Sequence, residues 1–243
     1  MANSTRERQA ASAAQKRLAA QRQRARRRRS AWVTAIAVVV LLLAGVVGIG
    51  VWQATRPSDA AVPAAATADG NAVAVGTGPV TVELYLDFLC PACRQFDAAA
   101  RPILDDYLDD GTITLVYRPI AILDERTTTE FSTRAAAAAG CAADAGALDE
   151  FVAGMMANQP TEDSAGMSDD EIIQIGAAAG ATDSTFATCV SDGTYRDWAS
   201  RNTDAALDRG VQGTPTVYVD GTMLDRLGLN DLTAAIDGAA AGQ

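Results

Sequence analysis

One uninterrupted apolar stretch near the start of the chain differs from the shorter patterns that follow it. Ala31 to Trp52 carries no charge and is rich in Val, Leu, Ile and Ala. As a helix it spans about 33 Å, enough to cross the core of a bilayer, and a tryptophan near each end suits the two interfaces. We therefore expect a single transmembrane helix over residues 31–52. A buried core helix and the apolar region of a cleavable signal peptide are the alternatives.

The next segments alternate between strand-like and helix-like patterns. Residues 53–78 are rich in Ala, Pro, Gly, Thr and Asp without a sustained period, which indicates a flexible linker that can end in a short strand at 72–75. Apolar and polar residues alternate over 80–87, as in a strand, and a helix is expected over 90–110. Residues 112–120 are β-branched and apolar. The order is βαβ, which predicts a parallel pair of strands.

Helical patterns dominate the second half of the chain. They extend over about 124–210 and include a capping box in which Ser168 and Glu171 precede three isoleucines. The chain then ends with strand-like residues 216–220, a turn, a short strand and a last helix. The sequence therefore predicts an α/β domain over residues 79–243, with a helical subdomain inserted into it.

Charge is divided unevenly along the chain. Residues 1–30 contain ten Lys and Arg against the single acid Glu7, whereas the whole chain has a net charge of −10. A basic tail beside a membrane span holds the N-terminus in the cytoplasm and attracts anionic lipid. We therefore expect residues 1–30 to be a basic cytoplasmic tail and the chain beyond the span to be exported. Binding of nucleic acid by the arginine run 26–29 is the alternative, and the acidic remainder of the chain argues against it.

All four cysteines lie beyond the apolar stretch. Cys90 and Cys93 form a CxxC pair at the point where a strand is expected to turn into a helix, and thiols at this spacing can close into a small disulfide that is easily opened again. In an oxidising compartment four cysteines predict two disulfides, which leaves Cys141 to pair with Cys189. Four thiols around one zinc ion is the alternative, but structural zinc sites usually draw on two close pairs of ligands. We expect no metal.

The Cys141–Cys189 pair falls within the helical subdomain, on two different expected helices. We interpret it as a structural disulfide, which would stabilise the fold by about 3 to 4 kcal/mol because it closes a long loop. The alternative is a second redox pair that relays electrons. Neither cysteine lies in a short strained loop of the kind that makes a disulfide labile, and this favours the structural role.

Two segments resemble the DsbA-like branch of the thioredoxin superfamily. The first is the series VELYLDFLCPAC over residues 82–93, and the second is GTPTVYVDG over residues 213–221. The resemblance covers roughly residues 79–240. It implies a thioredoxin fold with a helical insertion, preceded here by the single transmembrane helix, and catalysis of disulfide formation or exchange in exported proteins.

The resemblance also implies roles for four residues. Cys90 is the expected nucleophile, because the positive end of a helix dipole favours its thiolate. Cys93 lies one turn further along the helix and would resolve the mixed disulfide. Pro215 matches the family's cis-proline beside the redox pair, and Thr214 would offer its backbone N–H and C=O to an extended substrate. An ordinary proline at a strand entry is the alternative for Pro215.

The chain departs from the family's pattern at two positions. The best-known oxidants of the family place a histidine between the cysteines, where this chain has Ala92, so we expect a depressed pKa for Cys90 but a weaker oxidant than a histidine-bearing site. Related proteins often have a buried acid six residues before the first cysteine, and here that residue is Leu84. Asp87 or Glu83 can take over proton handling, although a strand-end or surface carboxylate is the simpler interpretation of each.

Together these features predict a membrane-tethered, extracytoplasmic thiol-disulfide oxidoreductase that passes the Cys90–Cys93 disulfide to reduced exported proteins. The resemblance implies reoxidation by a membrane partner similar to DsbB or to the vitamin K epoxide reductase homologues, and no cofactor is expected. A reductase or isomerase that works with the dithiol form is one alternative. A redox-inactive binding or chaperone module that keeps the thioredoxin fold is another.

Overall fold

The computed structural model describes residues 61–242, and its centre is a five-stranded sheet. The strands are β1 (Val73–Gly76), β2 (Val80–Leu86), β3 (Ile113–Pro119), β4 (Thr216–Val219) and β5 (Thr222–Met223). Their order across the sheet is β1-β3-β2-β4-β5. β2 and β3 are parallel, which confirms the prediction from the βαβ pattern, and the other neighbouring strands pair antiparallel.

Helices connect and cover these strands. They are α1 (Pro91–Asp109), α2 (Phe131–Asp144), α3 (Leu148–Ala157), α4 (Asp169–Ala178), α5 (Ser184–Asp192), α6 (Arg196–Asp208) and α7 (Leu229–Ala241), with a short 3-10 helix at Asp124–Arg126. α1 is the crossover between the two parallel strands. The five helices α2 to α6 lie between β3 and β4, in the interval where the sequence predicts an insert.

The central strand β2 is buried on both faces, although its alternating pattern is typical of a strand with one exposed face. Leu84 is 3% exposed on one face, and Glu83 and Tyr85 are 8% and 3% exposed on the other. Glu83 is therefore not a surface carboxylate. Its two oxygens accept from Arg118 and Arg209, at 2.6 and 2.7 Å for the closest contacts, so the charge is buried as part of an ion cluster.

The segment predicted as a linker over residues 53–78 ends in β1 (Val73–Gly76), close to the short strand expected at 72–75, and its last part packs on the domain. β1 pairs with β3, the Trp198 indole N–H donates to the Gly70 carbonyl at 2.6 Å, and the Ala64 N–H donates to Asp144 at 2.7 Å. Residues 61–78 make these contacts through their backbone groups. Such contacts do not require a periodic pattern of side chains, so the sequence does not reveal them. Within residues 61–242, none of the helices has the length and apolar character needed to cross a membrane. The predicted basic tail (1–30), the predicted span (31–52) and the start of the linker lie outside the described residues.

The insert and the sheet share one continuous core. The ring of Phe88, just after β2, packs edge-to-face against Phe151 on α3, and Phe151 packs in the same way against Phe186 on α5, with centroids 6.1 Å apart in both pairs. Cys141 on α2 and Cys189 on α5 form a disulfide, which is the pairing expected from the sequence. The insert is thus packed firmly behind the segment that carries the CxxC pair.

Candidate active site

The CxxC pair occupies the junction between β2 and α1. Cys90 is the residue that precedes the first turn of α1, and Pro91 begins the helix, where its missing N–H leaves no unpaired donor. The Cys90 backbone is extended, with φ −73° and ψ 117°, as is usual at the start of a helix. Cys90 is 8% exposed and Cys93 is 2% exposed, so Cys90 is the more accessible sulfur of the two. Both are free thiols in this structure.

The surroundings of Cys90 favour its thiolate. The hydrogen bond from the Cys93 thiol is the largest influence and lowers the Cys90 pKa to about 5, against the opposing effect of burial. The Thr214 side chain and the backbone N–H groups of Cys93 and Ala92 also contribute to this lowering of the pKa. Ala92 therefore contributes through its backbone, as the absence of a side-chain donor at this position requires. This low pKa agrees with the expectation for a thiol at a helix N-terminus.

Cys93 behaves in the opposite way. Burial raises the pKa of its thiol well above the usual range, and the neighbouring Cys90 sulfur raises it further, both as hydrogen-bond acceptor and as negative charge. The reduced pair therefore consists of one thiolate and one thiol over a wide pH range. This asymmetry gives the pair one accessible nucleophile and one buried proton carrier.

The loop before β4 completes the site. The Thr214–Pro215 peptide bond is cis, as the resemblance implied. The Cys90 Sγ lies 3.2 Å from the Thr214 carbonyl oxygen, to which the protonated thiol donates. The Thr214 hydroxyl is buried without a hydrogen-bond partner of good geometry, and it lies close enough to lower the pKa of both thiols. A cavity of about 530 Å³, lined by residues 210–216 and by Met223, opens beside this loop.

Asp87 is a buried member of the site and not a surface carboxylate. It is fully buried, and its oxygens accept from the Leu89 N–H at 2.9 Å, the Leu123 N–H at 3.0 Å and the Ser132 hydroxyl at 2.6 Å. Burial raises its pKa to about 6 against these three bonds, and the charge of Cys90 raises it as well. The Asp87 carboxylate connects the turn before Cys90, through Leu89, to α2 of the insert, through Ser132. It therefore titrates close to the reacting sulfur.

Gln159 is a contact of the site that sequence reasoning misses. Its side-chain amide donates to the carbonyl oxygens of Phe88 and Cys90. The residue follows α3, far from the CxxC pair in the sequence, and a Gln-Pro pair at a helix end carries no signal of its own. Only the packing of α3 against the β2–α1 junction brings it there.

Comparison with known families decides the identity of the fold. The model of the family described as Thioredoxin matches residues 70–238. The chain belongs to the thioredoxin family. This confirms the thioredoxin fold that the resemblance implied, and it places the start of the family domain in the segment that the sequence suggests as linker.

Among solved structures, this thioredoxin-family chain is similar to reduced DsbA from Mycobacterium tuberculosis. The two share 31% identity with a TM-score of 0.61, over 71% of this chain and 98% of that one. MdbA, a thiol-disulfide oxidoreductase from Actinomyces oris, matches with a TM-score of 0.61 at 22% identity, over 74% of this chain and 91% of that one, which shows the shared fold.

A curated relative extends the comparison to a larger protein. The serine/threonine-protein kinase PknE of Mycobacterium tuberculosis is 27% identical over 167 residues, which are 64% of this chain and 29% of the kinase. The thioredoxin-family chain therefore spans less than a third of the length of this relative.

Proposed function

We propose that the chain is an extracytoplasmic thiol-disulfide oxidoreductase that introduces disulfides into exported proteins through Cys90 and Cys93. The single observation that carries this proposal is the pairing of a thiolate, Cys90, with a more deeply buried thiol, Cys93, at the N-terminus of α1. The similarity to DsbA of Mycobacterium tuberculosis supports it. Both cysteines are residues that the resemblance already assigned to catalysis.

The low pKa of Cys90 favours oxidation of substrates over their reduction. Everything that stabilises the thiolate stabilises the reduced form of the pair, and leaves the Cys90–Cys93 disulfide comparatively unstable. A disulfide of this kind is readily transferred to another protein. A reductase requires the opposite balance, because its dithiol must be the less stable form.

Transfer proceeds in two exchange steps. A substrate thiolate attacks the Cys90 sulfur, so that a mixed disulfide forms and Cys93 leaves, taking up a proton because burial keeps its pKa high. A second substrate thiolate then attacks the substrate sulfur of the mixed disulfide, which closes the substrate disulfide and releases the Cys90 thiolate. Two electrons pass from the substrate to the pair. Of the two substrate protons, one is held by Cys93 and the other goes to solvent.

The loop at Thr214 and Pro215 provides the surface for the substrate. With the Thr214 carbonyl 3.2 Å from the Cys90 sulfur, an extended segment that pairs with the Thr214 backbone would bring its cysteine to Cys90. The adjacent cavity beside residues 210–216 leaves room for the flanking side chains of such a segment.

The N-terminal sequence supports a location of the site outside the cytoplasm. The apolar stretch 31–52 would anchor the protein in the cell membrane as a single-pass helix, with the basic residues 1–30 on the cytoplasmic side. The reduced pair would then be reoxidised by a membrane partner that resembles DsbB or a vitamin K epoxide reductase homologue. No cofactor is required for the exchange itself.

Refolding of a reduced, cysteine-containing protein tests this proposal. Catalytic amounts of the full chain, with glutathione disulfide as terminal oxidant, should accelerate the appearance of native disulfides, and the Cys90→Ser variant should not. Alkylation of thiols in cells then gives the direction of electron flow, since a pair found mostly oxidised supports donation of disulfides. A pair found mostly reduced, together with no acceleration of refolding, contradicts the proposal.

A further inference from the structure

The side-chain amide of Gln159 connects the helical insert to the backbone of the β2–α1 junction. Its Nε2 donates to the Phe88 carbonyl oxygen at 3.0 Å and to the Cys90 carbonyl oxygen at 2.8 Å. An amide nitrogen has two hydrogens, and both are therefore used on the same turn. The two acceptors are the carbonyls of the Phe88–Leu89 and Cys90–Pro91 peptide groups, so one side chain fixes two peptide groups of the same turn.

The position of Gln159 is itself well determined. It follows α3, whose last turn is closed by the Asn158 side chain donating to the Gly154 carbonyl at 2.9 Å. α3 is anchored through Phe151, which is fully buried and packs against the ring of Phe88. The segment thus holds Phe88 at two points, the ring through Phe151 and the carbonyl through Gln159.

These bonds act on the first turn of α1, where the reacting sulfur is held. The Cys90 carbonyl also accepts the Arg94 N–H at 3.2 Å, the bond that opens the helix. Gln159 therefore fixes the orientation of the peptide group from which α1 starts. The next N–H groups along the chain, those of Ala92 and Cys93, are the ones that favour the Cys90 thiolate.

The amide also acts on the local charge distribution. The carbonyl oxygens of Phe88 and Cys90 carry partial negative charges, and the Cys90 carbonyl belongs to the residue whose sulfur becomes an anion. Each hydrogen that Gln159 donates places a partial positive charge beside one of these oxygens and partly offsets its field. In a site that is largely shielded from water such dipoles are weakly screened, so their loss should destabilise the Cys90 thiolate relative to the thiol.

We propose that Gln159 is a positioning residue of the redox pair, which holds the Phe88 and Cys90 carbonyls so that the first turn of α1 stabilises the Cys90 thiolate. The proposal rests on the proposed function in one respect, because the thiolate is the species that reacts. It assigns to the helical insert a direct influence on the reactivity of the CxxC pair.

Titration of the Cys90 thiolate by its ultraviolet absorbance, in the reduced full chain, tests this inference. Gln159→Met keeps the length of the side chain without its donors, and should raise the Cys90 pKa by about one unit. Gln159→Glu keeps the shape, adds a negative charge and should raise it further. The matched control is Gln174→Met, at an exposed position on α4, which should titrate as the wild type does.

The resistance of the Cys90–Cys93 disulfide to reduction by glutathione should increase in the same order as the Cys90 pKa, from the wild type to Gln159→Met to Gln159→Glu. A rise of one unit in the Cys90 pKa removes about a tenfold stabilisation of the thiolate, so the disulfide of the Gln159→Met variant should become correspondingly harder to reduce. Wild-type pKa values in both Gln159 variants would overturn the inference. This outcome is independent of the proposed function, which fails instead if the wild type does not exchange disulfides while its thiolate titrates normally.

A measurement on the unaltered protein keeps the inference testable if the variants do not fold, as judged by circular dichroism. The side-chain amide resonances of Gln159 should shift with pH along the same titration curve as the Cys90 thiolate. This component of the shift should be absent from the oxidised protein, in which Asp87 still titrates. Gln159 amide chemical shifts that do not change over the titration of Cys90 would contradict the inference.

Discussion

At the scale of single residues, the difference between Cys90 and Cys93 determines the chemistry. The two side chains are the same thiol, yet one is a thiolate at neutral pH and the other is held as a thiol by burial. The hydrogen bond from the Cys93 thiol and the backbone N–H groups at the start of α1 stabilise the Cys90 thiolate, whereas burial keeps Cys93 protonated.

The two cysteines should therefore respond differently to substitution. Cys90→Ser removes the sulfur that the substrate attacks and should abolish exchange. Cys93→Ser keeps Cys90 but cannot form the disulfide that is donated. It also lacks the neighbouring thiol that can displace a partner from Cys90, so mixed disulfides that Cys90 forms with an oxidised substrate should persist and be visible on a non-reducing gel. Equal loss of activity without trapped complexes in the Cys93→Ser variant would contradict the assigned roles.

Asp87 provides a second test at this scale. Part of the rise of its pKa to about 6 comes from the charge of the Cys90 thiolate. Oxidation of the pair removes that charge, so Asp87 should titrate at a lower pH in the oxidised protein than in the reduced protein. The carboxyl chemical shift of Asp87, followed over pH in the reduced and in the oxidised protein, measures the two pKa values. An identical Asp87 pKa in the two forms would show that the charge of the Cys90 sulfur does not affect it.

At the scale of elements, the Cys141–Cys189 disulfide joins α2 to α5 within the insert. Cys189 is half-buried and Cys141 is 2% exposed, so an attacking thiolate reaches the Cys189 sulfur more readily. Such an attack would release a thiolate into the apolar core, where it is poorly stabilised. A structural role for the disulfide follows from this arrangement.

Replacement of both cysteines tests that role. The Cys141→Ala/Cys189→Ala variant should lose about 3 to 4 kcal/mol of the free energy of unfolding, since a long closed loop is opened. Urea denaturation measures the loss. Disulfide exchange by the folded variant should be unchanged, whereas loss of exchange with the fold intact would favour the electron relay considered from the sequence.

The sequence predicts elements well where the signal is local. Cys90, Pro91 and Cys93 mark a strand-to-helix junction, and Ser168 with Glu171 forms the predicted capping box at the start of α4. Contacts between distant segments leave no such signal. The bond of the Ser132 hydroxyl to Asp87 spans 45 positions, and that of Gln159 to the Cys90 carbonyl spans 69.

At the scale of the whole molecule, the reduced and oxidised forms should differ in stability in a pH-dependent way. Folding lowers the Cys90 pKa from 9.0 to about 5. The thiolate therefore stabilises the reduced fold fully above pH 9, and this contribution is lost as the pH falls towards about 5. The oxidised form has no titrating sulfur in this pair.

Urea denaturation of both forms should reveal this difference. Between about pH 6.5 and about pH 8.5 the free energy of unfolding of the reduced protein should rise relative to that of the oxidised protein. The titration of Asp87, with a pKa of about 6, lies mostly below this window. A constant difference between the two forms would show that folding does not stabilise the Cys90 thiolate.

The proposed donation of disulfides depends on the same stabilisation of the thiolate. The fold stabilises the reduced pair through α1, the loop at Thr214 and the contacts of the insert, so the oxidised pair holds its disulfide weakly. The predicted anchor and basic tail would keep this oxidant at the outer face of the membrane, where newly exported chains emerge and a reoxidising partner can reach it.

The equilibrium of the full chain with glutathione tests this central claim most directly. Mixtures of reduced and oxidised glutathione set the potential, and the fraction of oxidised Cys90–Cys93 is read by alkylation and mass spectrometry. We predict that the pair is reduced by far less glutathione than a structural disulfide such as Cys141–Cys189 requires. A Cys90–Cys93 disulfide that resists glutathione as strongly as Cys141–Cys189 does would contradict the account.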